Sequence, residues 1–270
     1  MNNSITTESI RLLTKIIKQH TRMCDSIISE IQETEHLSVD GFSKLNQTKY
    51  ASLHISRATN MLEQLMGLGR NAGDLQVETF NIRQLTSNMS QTIENTLSSI
   101  VNLSILCTYK LKKSSETISI DRTRLELIIF NILYYCLNSP VIDITNHYTM
   151  ELNITETPED YIFRIKNIDA PPLENLFDKI ILSGSDDMPD HFFTAKLNTV
   201  SLLVAKRLAE DANYKINYKR YNGSNHYNLT IPKLNEHSVT NGAIIYQANT
   251  YMLEETFSDL FLKFKRDVKI

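Results

Sequence analysis

Holding a nucleotide phosphate closely takes backbone amides with no side chain in the way, and glycine is the residue that permits it. The chain has 7 glycines in 270 residues. Between residues 121 and 232 the only ones are Gly184 and Gly223, which fall in loop and turn segments. His147, His191, His226 and His237 have no Cys or carboxylate partner at metal-ligand spacing, so no metal site is expected. Cys24, Cys107 and Cys136 are widely spaced and odd in number. That excludes a disulfide framework or zinc site and leaves cysteine as a small buried hydrophobe. Ser183-Gly184-Ser185 lacks the strand–turn–helix flanks of a nucleophile elbow. The Lys110, Lys112, Lys113 cluster reads as a solvated edge. His20 lies on an apolar seam, where a histidine is first of all a packed or pH-sensitive group. His54 reads as structural or exposed.

These residues need elements to carry them. Over residues 8–36, Ile10, Leu13, Ile17, His20, Cys24, Ile27 and Ile31 recur at steps of three and four, a heptad-like helical seam. Ser38, Asp40 and Gly41 break it. A second helix follows, with Leu53, Ala58, Met61, Leu62, Leu65 and Leu68 along one face, and it ends at Gly67, Gly69 and Gly73. Two such helices with a short polar connection predict an antiparallel hairpin. A lone hairpin cannot bury both faces, so a homodimer forming a four-helix bundle is expected.

A helix is expected from Phe80 to Cys107, on Ile82, Leu85, Met89, Ile93, Leu97 and Ile100. Glu116–Ile120 reads as extended, and Asp121 caps a helix through Leu125, Ile128, Ile129, Ile132 and Leu133. Tyr148–Thr155 and Tyr161–Asn167 read as strands, and residues 183–193 as a loop. A helix is expected over about Ala195–Ala212, then strands at Lys215–Tyr221 and His226–Ile231 around the hairpin pair Asn222-Gly223. In the tail, Ala243–Tyr246 is a strand candidate and Met252–Phe264 an amphipathic helix that packs on the main domain. Helices first, then helices among antiparallel strands, is an α+β layout. The expected divisions are 1–74, 75–232 and a C-terminal extension, 233–270.

The 41% hydrophobic fraction and net charge of −3 describe a globular protein without the basic footprint of nucleic-acid binding. No apolar run reaches the roughly 18 to 20 residues that span a bilayer. The opening MNNSITTESIRLL is not patterned as a signal peptide. A cytoplasmic location is expected, without membrane or nucleic-acid partners.

Four ordered stretches resemble the core of sensor histidine kinases, over roughly residues 8–232. LEQLMGLGRNAGDLQVETFNIRQL resembles the end of the second hairpin helix and its linker. DRTRLELIIFNILYYCLN, from Asp121, resembles the Asn-bearing helix, D-x-x-R-L-x-Q-(apolar)-(apolar)-x-N-L-(apolar)-x-N-A. TVSLLVAKRLAE, from Thr199 to Glu210, resembles the glycine-box helix GLGLAIVKRLAE, and NGSNHYNLTIP the closing strand. The resemblance implies a dimerising hairpin followed by a histidine-kinase-like α/β sandwich.

The same resemblance marks where the family's chemistry would sit. Its two Mg²⁺-holding carboxamides, four residues apart on one helical face, fall on Asn131 and Tyr135. A phenol is a poor Mg²⁺ ligand, and Asn131 alone reads as a capping or core-pairing residue. The adenine-reading D-x-G-x-G falls on residues 166–172, where Asp169 is followed by Ala170, Pro171 and Pro172. The phosphate-facing glycines are replaced by Thr199 and Ser201. Phosphoryl transfer from ATP needs a positioned phosphate and metal, so no nucleotide cofactor and no kinase activity are expected. The family's H-E/D-x-x-T/N-P motif is absent, and its histidine position falls near Arg22. With Arg22 outward, Ile17, His20, Cys24, Ile28 and Ile31 would point inward. The leading reading is a catalytically degenerate, homodimeric docking protein of two-component signalling that binds response-regulator receiver domains. The alternative is a histidine phosphotransferase with His20 as phosphoacceptor. A divergent active kinase comes third.

Overall fold

A computed structural model describes residues 2–34, 38–65, 75–99, 101–112, 116–137, 147–167, 197–221, 223–233 and 246–267. The chain divides into two compact units, Met1–Ala72 with Phe257–Ile270, and Gly73–Thr256.

In the first unit, helix α1 spans Asn2–Thr34 and α2 spans Val39–Leu65. Ser38 starts α2 as its cap, its Oγ accepting from the Gly41 amide at 3.1 Å. Asp40 and Gly41, expected in the break between helices, therefore lie in the first turn of α2. Contacts between the helices join residues from opposite ends. Lys18 pairs with Glu63, the Ser52 hydroxyl donates to the Thr21 carbonyl at 3.4 Å, and Gln32 bonds Asn46 at 2.9 Å.

The second unit opens with strand β1 (Val77–Asn81), then α3 (Ile82–Leu97) and β2 (Asn102–Lys110). One long helix from Phe80 to Cys107 is thus corrected to strand, helix and strand. Asn81 ends β1 and caps α3, its Oδ1 accepting from the Arg83 and Gln84 amides at 3.1 and 3.0 Å. After Leu97 the burial period drops to two, with Val101 and Leu103 inward and Leu106 exposed, which is a strand signature. The unit continues through β3 (Thr117–Asp121), α4 (Arg122–Leu137), β4 (His147–Glu156) and β5 (Asp160–Asn167). It then has α5 (Leu197–Asp211), β6 (Lys215–Tyr221) and β7 (Ser224–Pro232). The loop expected at 183–193 lies outside the described residues, as do residues 243–245 of the tail strand candidate. Tyr246 itself is not in a strand. Helix α6 spans Thr250–Asp267 and crosses from the second unit into the first.

β1 and β3 form a small antiparallel pair. The main sheet has the order β2-β4-β5-β7-β6, with β2 parallel to β4 and every other neighbour antiparallel. Leu152, Ile154, Phe163, Ile165, Tyr227 and Leu229 are buried at alternate positions, facing the helix layer. The opposite face carries polar rows fixed by the register. One is Glu151–Lys166–His226–Lys219, and the next is Asn153–Arg164–Asn228–Asn217.

Asp121 and Arg124 lock the helix layer. The Asp121 carboxylate accepts from the Arg124 amide at 3.0 Å and from the Gln76 amide at 3.1 Å. The Arg124 guanidinium donates to the Asp211 carbonyl at 2.9 Å, satisfying an end group of α5. α5 itself closes on Asn213, at φ 58, with the Tyr214 amide reaching back to the Ala209 carbonyl at 2.8 Å. This is a left-handed helix cap of the kind Asn tolerates. Among the described residues no helix is long and apolar enough to cross a membrane.

Candidate functional site

α4 is buried on nearly every side, so each polar side chain on it must find a partner inside the unit. Asn131 is buried, and its side-chain amide donates to the Leu127 carbonyl of its own helix at 2.8 Å. Tyr135, one turn further on, is half-buried. Its phenol is pushed well above its ordinary range by burial, then by Cys136 and Tyr218. Burial also pushes the Cys136 thiol up to about 12. The Tyr218 and Tyr227 rings stand 5.5 Å apart nearby, and Tyr218 donates to Asn225 at 2.7 Å. This end of α4 therefore presents neutral phenols and a neutral thiol, none of them suited to Mg²⁺.

α5 packs against α4 and carries the two positions where the resemblance expects glycine. Ser201 is fully buried and Thr199 lies in the first turn. Asp169, Ala170, Pro171 and Pro172 lie outside the described residues. Among the described residues no group of three or more His, Cys, Asp or Glu side chains could hold a metal ion.

On α1, Arg22 is exposed, in keeping with an outward position. Within a single chain the set expected to face inward is mostly open. Of Ile17, His20, Cys24, Ile28 and Ile31, only Ile28 is buried, and Ile31 is half-buried. Thr14, Thr21 and Ile28, spaced by seven, are buried instead, and Thr21 bonds α2 through its carbonyl. α1 carries two heptad stripes. The more polar one faces α2, where hydroxyls, Lys18 and Gln32 reach its side chains. The more apolar one, with Ile17 and Ile27, is open, and His20 and Cys24 lie along it. For His54 only its place on α2 is described.

Sequence reasoning missed Glu126. It interrupts the apolar run of α4, and that interruption was its only signal. Its carboxyl is buried and accepts from the Tyr246 hydroxyl at 2.6 Å and from the Asn249 amide at 3.2 Å. The second oxygen has no hydrogen-bond partner. Burial raises the Glu126 pKa from its ordinary value, against the hydrogen bonds and Arg122 that pull it down. Tyr246 stacks edge-on against Phe80 at 6.0 Å, and Asn249 caps α6 by accepting from the Met252 amide at 3.1 Å. Residues 246–249 are thus held to α4 by the Glu126 carboxyl and by Arg122, whose guanidinium donates to the Gln247 carbonyl at 3.4 Å.

No family model matches the chain, and no curated protein matches it. Solved structures do. Full-length histidine kinase ShkA in complex with AMPPNP superposes with a TM-score of 0.63 at 12% identity, over 89% of this chain and 48% of that one. Histidine kinase ThkA in complex with the response regulator protein TrrA superposes with a TM-score of 0.54 at 17% identity, over 82% of this chain and 61% of that one. The chain spans less than two thirds of either. At these identities the likeness is one of fold, and the chain has the fold of a histidine-kinase core.

Proposed function

We propose that the chain is a histidine-kinase-like protein that has lost ATP chemistry and acts by docking receiver domains of response regulators, as a homodimer in the cytoplasm. The observation that carries this reading is the state of α4. Asn131 donates to its own helix, and the position one turn on holds a desolvated phenol instead of a second carboxamide. Ser201, buried on α5 at a position where the resemblance expects glycine, supports the same reading, since the fold's ATP chemistry depends on a positioned phosphate and metal. The complex of ThkA with TrrA supports a receiver as partner. The open apolar stripe of α1, with Ile55 and Leu62 exposed seven residues apart on α2, supports a second copy as the cover of this unit.

A second reading rests on one observation: His20 is exposed on α1, not turned toward α2. An accessible imidazole on that helix could accept a phosphoryl group from one receiver and pass it to another.

Incubation with a phosphorylated receiver, and separately with labelled ATP and Mg²⁺, tests both readings. The docking reading expects a stable complex and no acid-labile label from either donor. Label taken from the receiver and lost in His20→Ala would replace it with the phosphotransferase reading. Label taken from ATP would overturn both.

A further inference from the structure

We propose that the open face of the main sheet is a second docking surface, centred on Arg164 and Lys219, that takes an acidic polypeptide segment of a protein partner. This surface lies wholly in the second unit and is independent of the reading of α1.

The charge on this face opposes that of the chain. Arg164, Lys166, Lys215 and Lys219 share it with Glu151 in the middle and Asp160 at the rim, in a chain of net charge −3. Lys166 is paired with Glu151 at 2.8 Å. Arg164 meets only a neutral side chain, donating to Asn228 at 2.9 Å. Among the described residues no carboxylate lies within ion-pair distance of Arg164, Lys215 or Lys219, and all three are exposed. The imidazole of His226, in the row between Lys166 and Lys219, titrates below its ordinary range. Burial is the main cause, and Arg164 and Lys166 add to it, while Tyr221 and Glu151 pull the other way. A carboxylate arriving on this face meets uncompensated positive charge.

The neutral residues point to a polypeptide. Asn153, Asn228 and Asn217 line one row across the sheet. Asn is a poor strand former, and a solvated face chosen for strand stability alone would favour Thr and β-branched residues. Side-chain amides offer both donors and acceptors, which suits a peptide backbone. The two central rows carry no Phe, Tyr or Trp, so they offer no platform for stacking bases as a nucleic-acid site would. Neighbouring strands stand about 4.8 Å apart, so β5 and β6, two strands apart, place their cations roughly 10 Å from each other. An extended acidic segment crossing the strands can meet both with carboxylates a few residues apart.

The probe is a fluorescein-labelled Glu-Ser repeat peptide of about a dozen residues, titrated with the full chain and read by anisotropy. The wild type is expected to bind it. Arg164→Glu with Lys219→Glu is expected to weaken binding tenfold or more, while Lys44→Glu, an exposed change on α2, leaves it within twofold. Should the first pair unfold the protein, Lys215→Glu with Lys219→Glu, both exposed on edge strand β6, makes the same test. No binding, an equal loss in Lys44→Glu, or an unchanged affinity in the reversal pair overturns the proposal. So does tighter binding of an oligodeoxythymidylate of equal charge, which would make the face a nucleic-acid surface.

Discussion

Glu126 shows how much one buried carboxyl can constrain. Two donors hold one oxygen and the other has no partner, so ionisation inside the fold is opposed by burial. With the folded-state pKa raised, the group's stabilising contribution is complete below its unfolded pKa. It is lost as pH rises through the folded value. Glu126→Gln keeps an acceptor for Tyr246 and Asn249 but cannot ionise. Its melting temperature relative to wild type should therefore rise between pH 4 and pH 7. A difference that stays flat across that range would contradict the account. The sequence showed Glu126 only as a charge among LELII, with no hint of Tyr246, because a partner 120 residues away leaves no local pattern. Asp121 was legible for the opposite reason. A cap acts within three residues, and its bond to the Arg124 amide is local.

At the scale of elements, periodicity was a sound guide until two periods met without punctuation. The steps of three and four in α3 run up to Leu97, and the alternation of β2 begins almost at once, with no glycine or proline between them. A reading by helical spacing carries straight through and puts Cys107 on a helix. α1 posed a related problem. Its heptad repeat is plain, but the repeat alone does not separate the stripe that meets α2 from one that a second copy would cover, and the structure gives the contact with α2 to Thr14, Thr21 and Ile28. Hydrophobicity alone does not say which of two stripes meets the neighbour in the same chain. If the open stripe meets a second copy, Ile17→Glu with Ile27→Glu removes burial of about 1.5–3 kcal/mol per side chain. Dimerisation should weaken by a hundredfold or more in sedimentation equilibrium, with helicity by circular dichroism unchanged. Dimerisation of wild-type strength in that variant would exclude this face.

For the whole molecule, the fold was legible because its apolar pattern runs along the sequence, and the surroundings of the candidate site were not, because the side chains that meet there, such as Tyr135 and Tyr218, lie far apart in it. Asn131 and Tyr135 sit where the Asn-bearing helix was expected, yet their side chains are engaged with their own helix and with buried phenols and a thiol. A ligand that binds only the folded state raises stability by RT ln(1 + [L]/Kd), about 2.7 kcal/mol at a hundredfold excess over Kd. Millimolar ATP with Mg²⁺ should leave the melting temperature within about 1 °C, since that gain would move it by several degrees. A shift of that size, reversed by EDTA, would restore nucleotide to the account.

The division into units has a consequence for biosynthesis. The first unit is assembled from Met1–Ala72 and Phe257–Ile270, and α6 supplies its late part. At translation rates of about 5–20 residues per second, α1 and α2 leave the ribosome on the order of ten seconds or more before that part exists. The whole of the second unit is made in the interval. The nascent helices must pass that time with an open apolar stripe and without the segment that completes their unit. Deleting the residues from Phe257 on would therefore strike α1 and α2 as much as α6 itself.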